Sequence, residues 1–229
     1  MRRLRSLASV VALTLGLSAC STVPVPTPDA SPTSGSGPLV AFYGDSYTLG
    51  TGASDPSLRW STIISADRGW SEFNPSVNGL GFVNHRLDFD EDDLPELVIE
   101  AQPDIVFVTM GLNDTFSFDR RADLIRDTIT DDLTRIRDAL PEARIVVVEP
   151  FWYTEERPES LETIIGWVEA AAAAIDADRI PGASHWLDGH HAGSEDSWMA
   201  SDGLHPSDVG YAHLAEQMDA ALEKLDPPL

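Results

Sequence analysis

From residue 39 onward, short apolar segments alternate with longer segments whose apolar residues recur at helical spacing. We expect five strands at residues 39–43, 72–77, 105–110, 144–149 and 184–187, and five helices at 58–68, 94–101, 119–140, 160–178 and 208–225. Strands that alternate with helices form βαβ units, which build a parallel sheet with helices on both faces. The sequence therefore predicts a three-layer α/β/α domain with a flavodoxin-like, five-stranded parallel sheet in the order 2-1-3-4-5.

Residues 1–19 have the features of a signal peptide. Three arginines occur within the first five residues, and an apolar run from about residue 7 to residue 17 follows, too short to span a bilayer comfortably. The segment Leu17-Ser18-Ala19-Cys20 resembles the cleavage box of bacterial lipoproteins, in which the cysteine receives a diacylglyceryl group and becomes the new N-terminus. Because the one cysteine of the chain falls here, we favour lipidation of Cys20 over an ordinary secretory signal with an incidental cysteine.

A linker is expected between the signal peptide and the folded domain. Residues 20–38 begin with Cys20, are mostly Ser, Thr, Pro and Gly, and contain no aromatic residue, so they are expected to form a disordered tether. The folded domain then spans residues 39–229. We expect an exported protein on the outer face of the cell membrane, in contact with the membrane by its lipid anchor only, with secretion as the alternative.

The composition narrows the chemistry that the domain performs. The chain has one cysteine, and its one lysine, Lys224, lies in a predicted terminal helix. This composition excludes intrachain disulfides and cysteine-rich zinc sites and disfavours catalysis through a lysine. Covalent chemistry is left mainly to Ser, Thr, Asp, Glu and His, and no cofactor is expected. The formal net charge of −23 repels nucleic acid, so we expect no nucleic-acid partner.

One serine and a distant Asp-x-x-His segment have the residue types of nucleophilic catalysis. Ser46 follows the first predicted strand in a Gly-Asp-Ser-Tyr segment and is therefore expected at the carboxyl edge of the sheet, where open α/β folds bind ligands. Asp202 and His205 lie three residues apart near the C-terminus. An imidazole oriented by a carboxylate is the base that a nucleophilic serine needs. A helix cap is the alternative role for the Gly-Asp-Ser turn taken alone.

Two further segments offer hydrogen-bond donors at the same edge of the sheet. Asn113 follows the third predicted strand in a Gly-Leu-Asn-Asp segment, and Gly79 and Gly81 follow the second. Taken singly, each segment is compatible with an ordinary turn, because Gly and Asn suit turns for conformational reasons. Together they place an amide side chain and backbone N–H groups near Ser46, and a tetrahedral oxyanion needs donors of this kind.

These segments, in this order and spacing, resemble the SGNH (GDSL-type) hydrolase family over residues 39 to about 220. The resemblance implies the SGNH hydrolase fold and these site residues: Ser46 as nucleophile, His205 as base, Asp202 as the residue that orients it, and the Gly79 N–H and Asn113 side chain as oxyanion donors. The first segment has Tyr47 where the family name implies Leu. The second contains two glycines, which leaves Gly79 and Gly81 as alternative donors.

The resemblance implies an extracytoplasmic serine esterase that hydrolyses or transfers acyl groups through an acyl-enzyme at Ser46. The expected substrates are short-chain carboxylic esters or O-acetyl groups on glycans, so the expected partner is a small acyl ester or an acylated glycan. The alternatives are lipase or lysophospholipase-type activity and a non-enzymatic, carbohydrate-binding envelope lipoprotein. The sequence leaves open the acyl-chain length, the alcohol moiety and the oligomeric state.

A histidine-rich segment invites a metal-site interpretation. His185, Asp188, His190 and His191 lie close together in the sequence. SGNH hydrolases generally need no metal, and a loop rich in polar residues accounts for the pattern, so no metal site is expected. Trp198, shortly before the predicted acid, is a candidate for the lining of a substrate pocket, because such pockets are mostly apolar and aromatic.

Overall fold

The computed structural model describes residues 35–88 and 93–229. The predicted signal peptide, Cys20 and most of the predicted linker lie outside these residues. The described chain contains a five-stranded sheet in the order β2-β1-β3-β4-β5, and every pairing in it is parallel. The strands are β1 (Leu39–Gly44), β2 (Ser71–Phe73), β3 (Ile105–Thr109), β4 (Arg144–Val148) and β5 (Asp178–Ile180). The predicted sheet and its strand order are confirmed.

The helices lie on both faces of this sheet, as the alternating pattern predicts. They are α1 (Ser46–Leu49), α2 (Trp60–Arg68), α3 (Leu94–Glu100), α4 (Phe118–Ala139), α5 (Glu159–Ala174) and α6 (Asp208–Leu222). Helices α2 and α6 cover one face, and α3, α4 and α5 cover the other. Within the described ranges, no helix combines the length and the apolar character needed to cross a membrane.

Alternating side chains of the central strands fill two separate cores. In β1, Val40 and Phe42 pack under α2 and α6, whereas Ala41 and Tyr43 pack under α3 and α4. Strands β3 and β4 alternate in the same way, which explains their continuous apolar sequences. One side of α4 is buried in the second core through the apolar residues that recur along it: Ile125, Ile129, Leu133, Ile136 and Leu140.

The predicted fifth strand at residues 184–187 is wrong. These residues lie in the 3₁₀ helix Ala183–His185 and in the turn that follows it. Ser184 is buried there because its N–H and its hydroxyl donate to the buried Glu149 carboxylate, at 3.2 and 2.6 Å. The observed β5 is an edge strand of three residues whose buried side chain is Ile180, so it has almost no apolar pattern to detect.

Other boundaries differ from the expected ones for local reasons. Helix α5 ends at Ala174 instead of residue 178, and Asp176 then adopts a φ of +53° before the chain enters β5. Strand β2 ends at Phe73, two residues before Pro75, which lacks the N–H that a longer ladder would need. At the end of the predicted linker, the Gly37 N–H donates to the Gly69 carbonyl at 2.9 Å.

Two glycines give opposite expectations for stability. A Cβ on Gly44 would lie 2.5 Å from the Thr48 Cβ and 2.6 Å from the Thr109 Oγ1, so Gly44→Ala should overpack the end of β1 and destabilise by about 1–3 kcal/mol. Gly166 lies in the middle of α5 with open space around its Cβ position, so Gly166→Ala should stabilise by about 0.5–1 kcal/mol. Urea unfolding of both variants measures these changes, and a stabilising Gly44→Ala would contradict the packing described here.

Candidate active site

A cavity of about 270 Å³ lies at the carboxyl edge of the sheet. Four separate segments of the chain line it, each with two consecutive residues: Ser46 and Tyr47, Asn78 and Gly79, Leu112 and Asn113, and Leu204 and His205. Four of the predicted site residues are therefore neighbours around one small volume. The fifth, Asp202, contacts the ring of His205.

Ser46 is held at the cavity by the turn between β1 and α1. Strand β1 ends at Gly44, and the Asp45 side chain caps α1 by accepting the Tyr47 N–H at 2.9 Å. Helix α1 ends after one turn at Gly50, whose φ of +89° favours glycine. Asp45 therefore caps α1, as the alternative role for this turn predicts. The cap is compatible with a functional role for the turn, because it also orients Ser46.

The Asp45 carboxylate is fully buried beside Ser46 and lies close to Asn113. Burial raises the pKa of Asp45 to about 7, the Tyr47 N–H opposes this shift, and the charge of Asp114 adds to it. The Asn113 Nδ2 lies 3.3 Å from the Asp45 Oδ2 and donates a shorter bond, 2.9 Å, to the Leu80 carbonyl. The amide of Asn113 is therefore oriented by the loop that follows β2.

The two glycines of that loop have different environments. Gly79 lines the cavity with a φ of +72°, and its carbonyl accepts the Asn84 Nδ2 at 2.9 Å. The Gly81 N–H instead donates to the Asn84 carbonyl at 3.0 Å, and the Asp114 carboxylate fills the space where a Gly81 Cβ would lie. The geometry therefore favours Gly79 over Gly81 as a donor to a group bound in the cavity.

Asp202 and His205 form a locally built pair. The Asp202 Oδ2 lies 2.7 Å from the His205 Nδ1, while the Asp202 Oδ1 accepts the N–H groups of Leu204 and His205 at 2.9 and 3.0 Å. Partial burial acts to raise the pKa of Asp202, but these hydrogen bonds outweigh it and lower the pKa to about 2. The carboxylate is thus anionic at neutral pH and directs the other ring nitrogen of His205, Nε2, away from itself.

Long-range contacts place this pair beside Ser46. The Tyr47 hydroxyl donates to the Leu204 carbonyl at 2.6 Å, and the Tyr211 hydroxyl donates to the Thr51 carbonyl at 2.7 Å. Gly52 allows the two segments to approach closely, because a Cβ on Gly52 would lie 2.5 Å from the Pro206 carbonyl oxygen. The sequence indicates Tyr47 only as the residue that stands where the family name implies Leu, and it predicts no role for Tyr211.

Trp198 does not line the cavity, which corrects the expectation for this residue. Its ring stacks on His190, with centroids 3.4 Å apart, and also contacts His213, with centroids 4.6 Å apart. Its carbonyl accepts both the N–H and the hydroxyl of Ser207, each at 2.8 Å. Trp198 therefore anchors the segment that carries Asp202 to α6.

The histidine-rich segment forms pairs in place of a ligand cluster. His185 contacts Asp188, with Nδ1 and Oδ2 2.9 Å apart, and Arg157 binds the same carboxylate at 2.5 Å. Across residues 35–88 and 93–229, no group of three or more His, Cys, Asp or Glu side chains is arranged to hold a metal ion.

Comparisons with known proteins identify a sequence family for this chain and solved structures with a similar fold. The sequence model of the GDSL-like lipase/acylhydrolase family matches residues 42–213. The chain is 25% identical over 191 residues to GDSL lipase Rv0518 of Mycobacterium tuberculosis, covering 78% of this chain and 79% of that protein. Among solved structures, TesA is similar with a TM-score of 0.64 and 22% identity, covering 83% of this chain and 99% of TesA. The esterase EstA from Pseudoalteromonas sp., inhibited by monoethylphosphonate, is similar with a TM-score of 0.61 and 16% identity, covering 81% of this chain and 97% of EstA.

His213 of α6, which contacts Trp198, should make the stability of the protein depend on pH. Burial lowers the pKa of His213 below 6.5, with His190 acting in the same direction, whereas Glu216 and a bond to the Trp186 backbone oppose the shift. Below pH 6.5 the unfolded chain therefore binds this proton more readily than the folded one, so stability falls as the pH drops. We expect His213→Gln to remove this part of the loss.

Urea unfolding at pH 7.5 and pH 5.5 tests this expectation. His185→Gln is the matched control, because His185 is exposed and its ring pairs with the Asp188 carboxylate. Equal losses of stability in wild type and His213→Gln would contradict the assignment to His213.

Proposed function

This chain belongs to the GDSL-like lipase/acylhydrolase family and is a serine hydrolase that acts on ester bonds, and from that premise we propose its nucleophile, substrate class and location. Ser46 is the nucleophile of an extracytoplasmic esterase that removes short acyl groups from small carboxylic esters or from glycans. The observation that carries the proposal is the convergence of Ser46, Gly79, Asn113 and His205 on one cavity, with Asp202 bonded to the ring of His205.

Acylation follows from the side chains at the cavity. His205 removes the proton of the Ser46 hydroxyl as Oγ attacks the ester carbonyl carbon, and then gives that proton to the leaving alcohol. Asp202 holds the imidazole in the tautomer with the Nδ1 proton and stabilises the imidazolium that forms. The Ser46 and Gly79 N–H groups and the Asn113 amide stabilise the oxyanion as the tetrahedral intermediate develops.

Deacylation repeats these steps with another nucleophile. A water molecule, deprotonated by His205, attacks the acyl-enzyme, and Ser46 recovers its proton when the acid leaves. A sugar hydroxyl competes with water for the same acyl-enzyme, because both approach through the cavity. The balance between hydrolysis and transfer therefore depends on which acceptor the cavity holds beside His205.

The size of the cavity supports a short acyl group. Its volume of about 270 Å³ is below the roughly 300–1,000 Å³ that is typical of pockets for drug-sized ligands. Tyr47, Leu112 and Leu204 contribute the larger apolar side chains of its lining, and Asn78 adds a polar one. An acetyl group fits this volume, whereas a long acyl chain would have to extend over the surface.

Lipase-type activity is the second candidate, and one exposed side chain favours it. Phe116 is 60% exposed and lies three residues after Asn113 in the 3₁₀ helix Asn113–Ser117. Side chains three residues apart in a 3₁₀ helix share a face, so Phe116 extends the apolar surface on the Asn113 side of the site. A longer acyl chain could pack there, and the relative from Mycobacterium tuberculosis is named a lipase.

Covalent labelling tests the nucleophile. A fluorophosphonate probe should label the wild-type protein. The probe should no longer label Ser46→Ala, and turnover should be abolished, because Ser46 is the only serine or threonine among the described residues that line the cavity. EstA, which shares the fold, is described as inhibited by monoethylphosphonate, which makes this probe class suitable. Ser57→Ala, an exposed serine bonded to Asp55, is the matched control and should label like wild type. Near-native esterase rates in Ser46→Ala would remove Ser46 from this role.

The same preparations separate the two substrate classes. We expect kcat/KM to be highest for p-nitrophenyl acetate and to fall along the series to palmitate, with acetylated sugars also cleaved. A maximum at the long chains, lost in Phe116→Ala, would favour the lipase candidate instead.

The location rests on the N-terminal sequence, which precedes the described residues. We propose that Cys20 carries a lipid that holds the mature protein on the outer face of the membrane, with the Ser, Thr, Pro and Gly segment as a tether. Cys20→Ala should move the protein from the membrane fraction to the soluble fraction without changing the specific esterase activity. A variant that stays in the membrane fraction would contradict lipid anchoring.

A further inference from the structure

Asp114 does not line the cavity, but its carboxylate binds the loop that carries Gly79, which does line it. We propose that Asp114 is a positioning residue for the oxyanion donors, because its carboxylate fixes the loop of residues 79–84 on which the Gly79 N–H is carried. This inference rests on the proposed role of Gly79 and adds to it a residue whose effect on turnover passes through the loop.

Three consecutive backbone N–H groups of the loop converge on the Asp114 carboxylate. The Phe82 N–H donates to Oδ2 at 2.7 Å, and the N–H groups of Val83 and Asn84 donate to Oδ1 at 2.9 and 3.1 Å. Asp114 is fully buried, so water does not reach these groups to replace the bonds. Hydrogen bonds to an ionised acceptor are stronger than neutral ones, and three of them fix the conformation of this stretch.

Asn84 transmits this constraint to Gly79. Its N–H binds Asp114, its carbonyl accepts the Gly81 N–H at 3.0 Å, and its side chain donates to the Gly79 carbonyl at 2.9 Å. Gly79 lines the cavity with a φ of +72°, so a held Gly79 carbonyl restricts the orientation of the preceding peptide, which carries the Gly79 N–H. The backbone donor is thus two hydrogen bonds away from Asp114.

The close approach of Asp114 also explains the second glycine of the segment. A Cβ on Gly81 would lie 2.5 to 2.6 Å from the carboxyl carbon and both oxygens of Asp114. Any side chain at residue 81 would push the loop away from the carboxylate. Gly81 therefore serves the packing of the loop on Asp114, and Gly79 is the glycine that faces the cavity.

The two donors are set relative to each other by adjacent residues. Asn113, the side-chain donor, binds the Leu80 carbonyl at 2.9 Å, and Asp114 binds the same loop two residues further on. An error in the loop position would misplace the Gly79 N–H relative to the Asn113 amide. The oxyanion exists only on the way to and from the transition state, so such an error should lower kcat and leave KM nearly unchanged.

Steady-state kinetics of Asp114→Asn tests the inference. Asparagine keeps the size of the side chain but replaces one acceptor oxygen by an NH₂ group, which cannot accept a backbone N–H. The loop therefore loses at least one hydrogen bond. We expect kcat to fall roughly 10–100-fold, less than or equal to the 10²–10³-fold loss typical of removing one oxyanion donor, with KM within about threefold of wild type. The rate of Ser46 labelling by the fluorophosphonate should fall as well, because its phosphoryl oxygen occupies the position of the oxyanion.

Leu222→Ala, which removes a buried side chain of α6 in the core on the opposite face of the sheet, is the control for stability, and its kcat should stay near wild type. An unchanged kcat in Asp114→Asn, or an equal loss of kcat in both variants, would overturn the inference. If Asp114→Asn does not fold, Gly81→Ala must show the selective loss of kcat, and a normal kcat there overturns the inference equally. Failure of the proposed function is distinct, because wild type itself would then be neither labelled nor active on esters.

Discussion

The parallel pairing of β1 with β3 is the constraint on which the site depends. Gly44 lies opposite Thr109 at the carboxyl ends of the two strands, so the segments that follow them begin side by side. Ser46 comes two residues after the first of these positions, and Asn113 comes four residues after the second. A hydrogen bond of 2.6 Å between the Thr48 and Thr109 hydroxyls ties the two segments together. The sheet thus places a hydroxyl beside an amide before any other element contributes.

Buried carboxylates organise the part of the site that lacks regular secondary structure. A loop that packs against the protein has backbone N–H groups that need partners, and a helix or strand is not available to supply them. Asp114 supplies them for residues 82–84, although burial raises the pKa of its carboxyl and so disfavours the charged form. Further along the loop, Arg86 binds the buried Asp132 of α4 at 2.6 Å. The second half of the loop and the residues that follow it are therefore held by two buried carboxylates, Asp114 after β3 and Asp132 of α4.

The sequence predicts most of this arrangement because its signals are local. The apolar run of β3 and the helical spacing of the apolar residues of α4 are local patterns, and the segments of Ser46, Gly79 and Asn113 stand directly after predicted strands. Strand β5 was missed because three edge residues with one buried side chain, Ile180, leave no period to detect. The bond from Tyr47 to Leu204 joins residues 157 positions apart. Such a contact depends on the docking of whole elements, and no local pattern indicates it.

The proposed base combines a local orientation with a long-range placement. The Asp202–His205 contact spans three residues and is completed by two backbone N–H groups of the same segment, so the ring orientation requires little from the rest of the fold. Its distance from Ser46 depends instead on the Tyr47 and Tyr211 hydroxyls and on the packing at Gly52. A substitution at Asp202 should therefore change the tautomer of a correctly placed ring, whereas one at Tyr47 should misplace a correctly oriented ring. This separation explains how the proposed base, carried on a loop, lines the same cavity as the proposed nucleophile that follows β1.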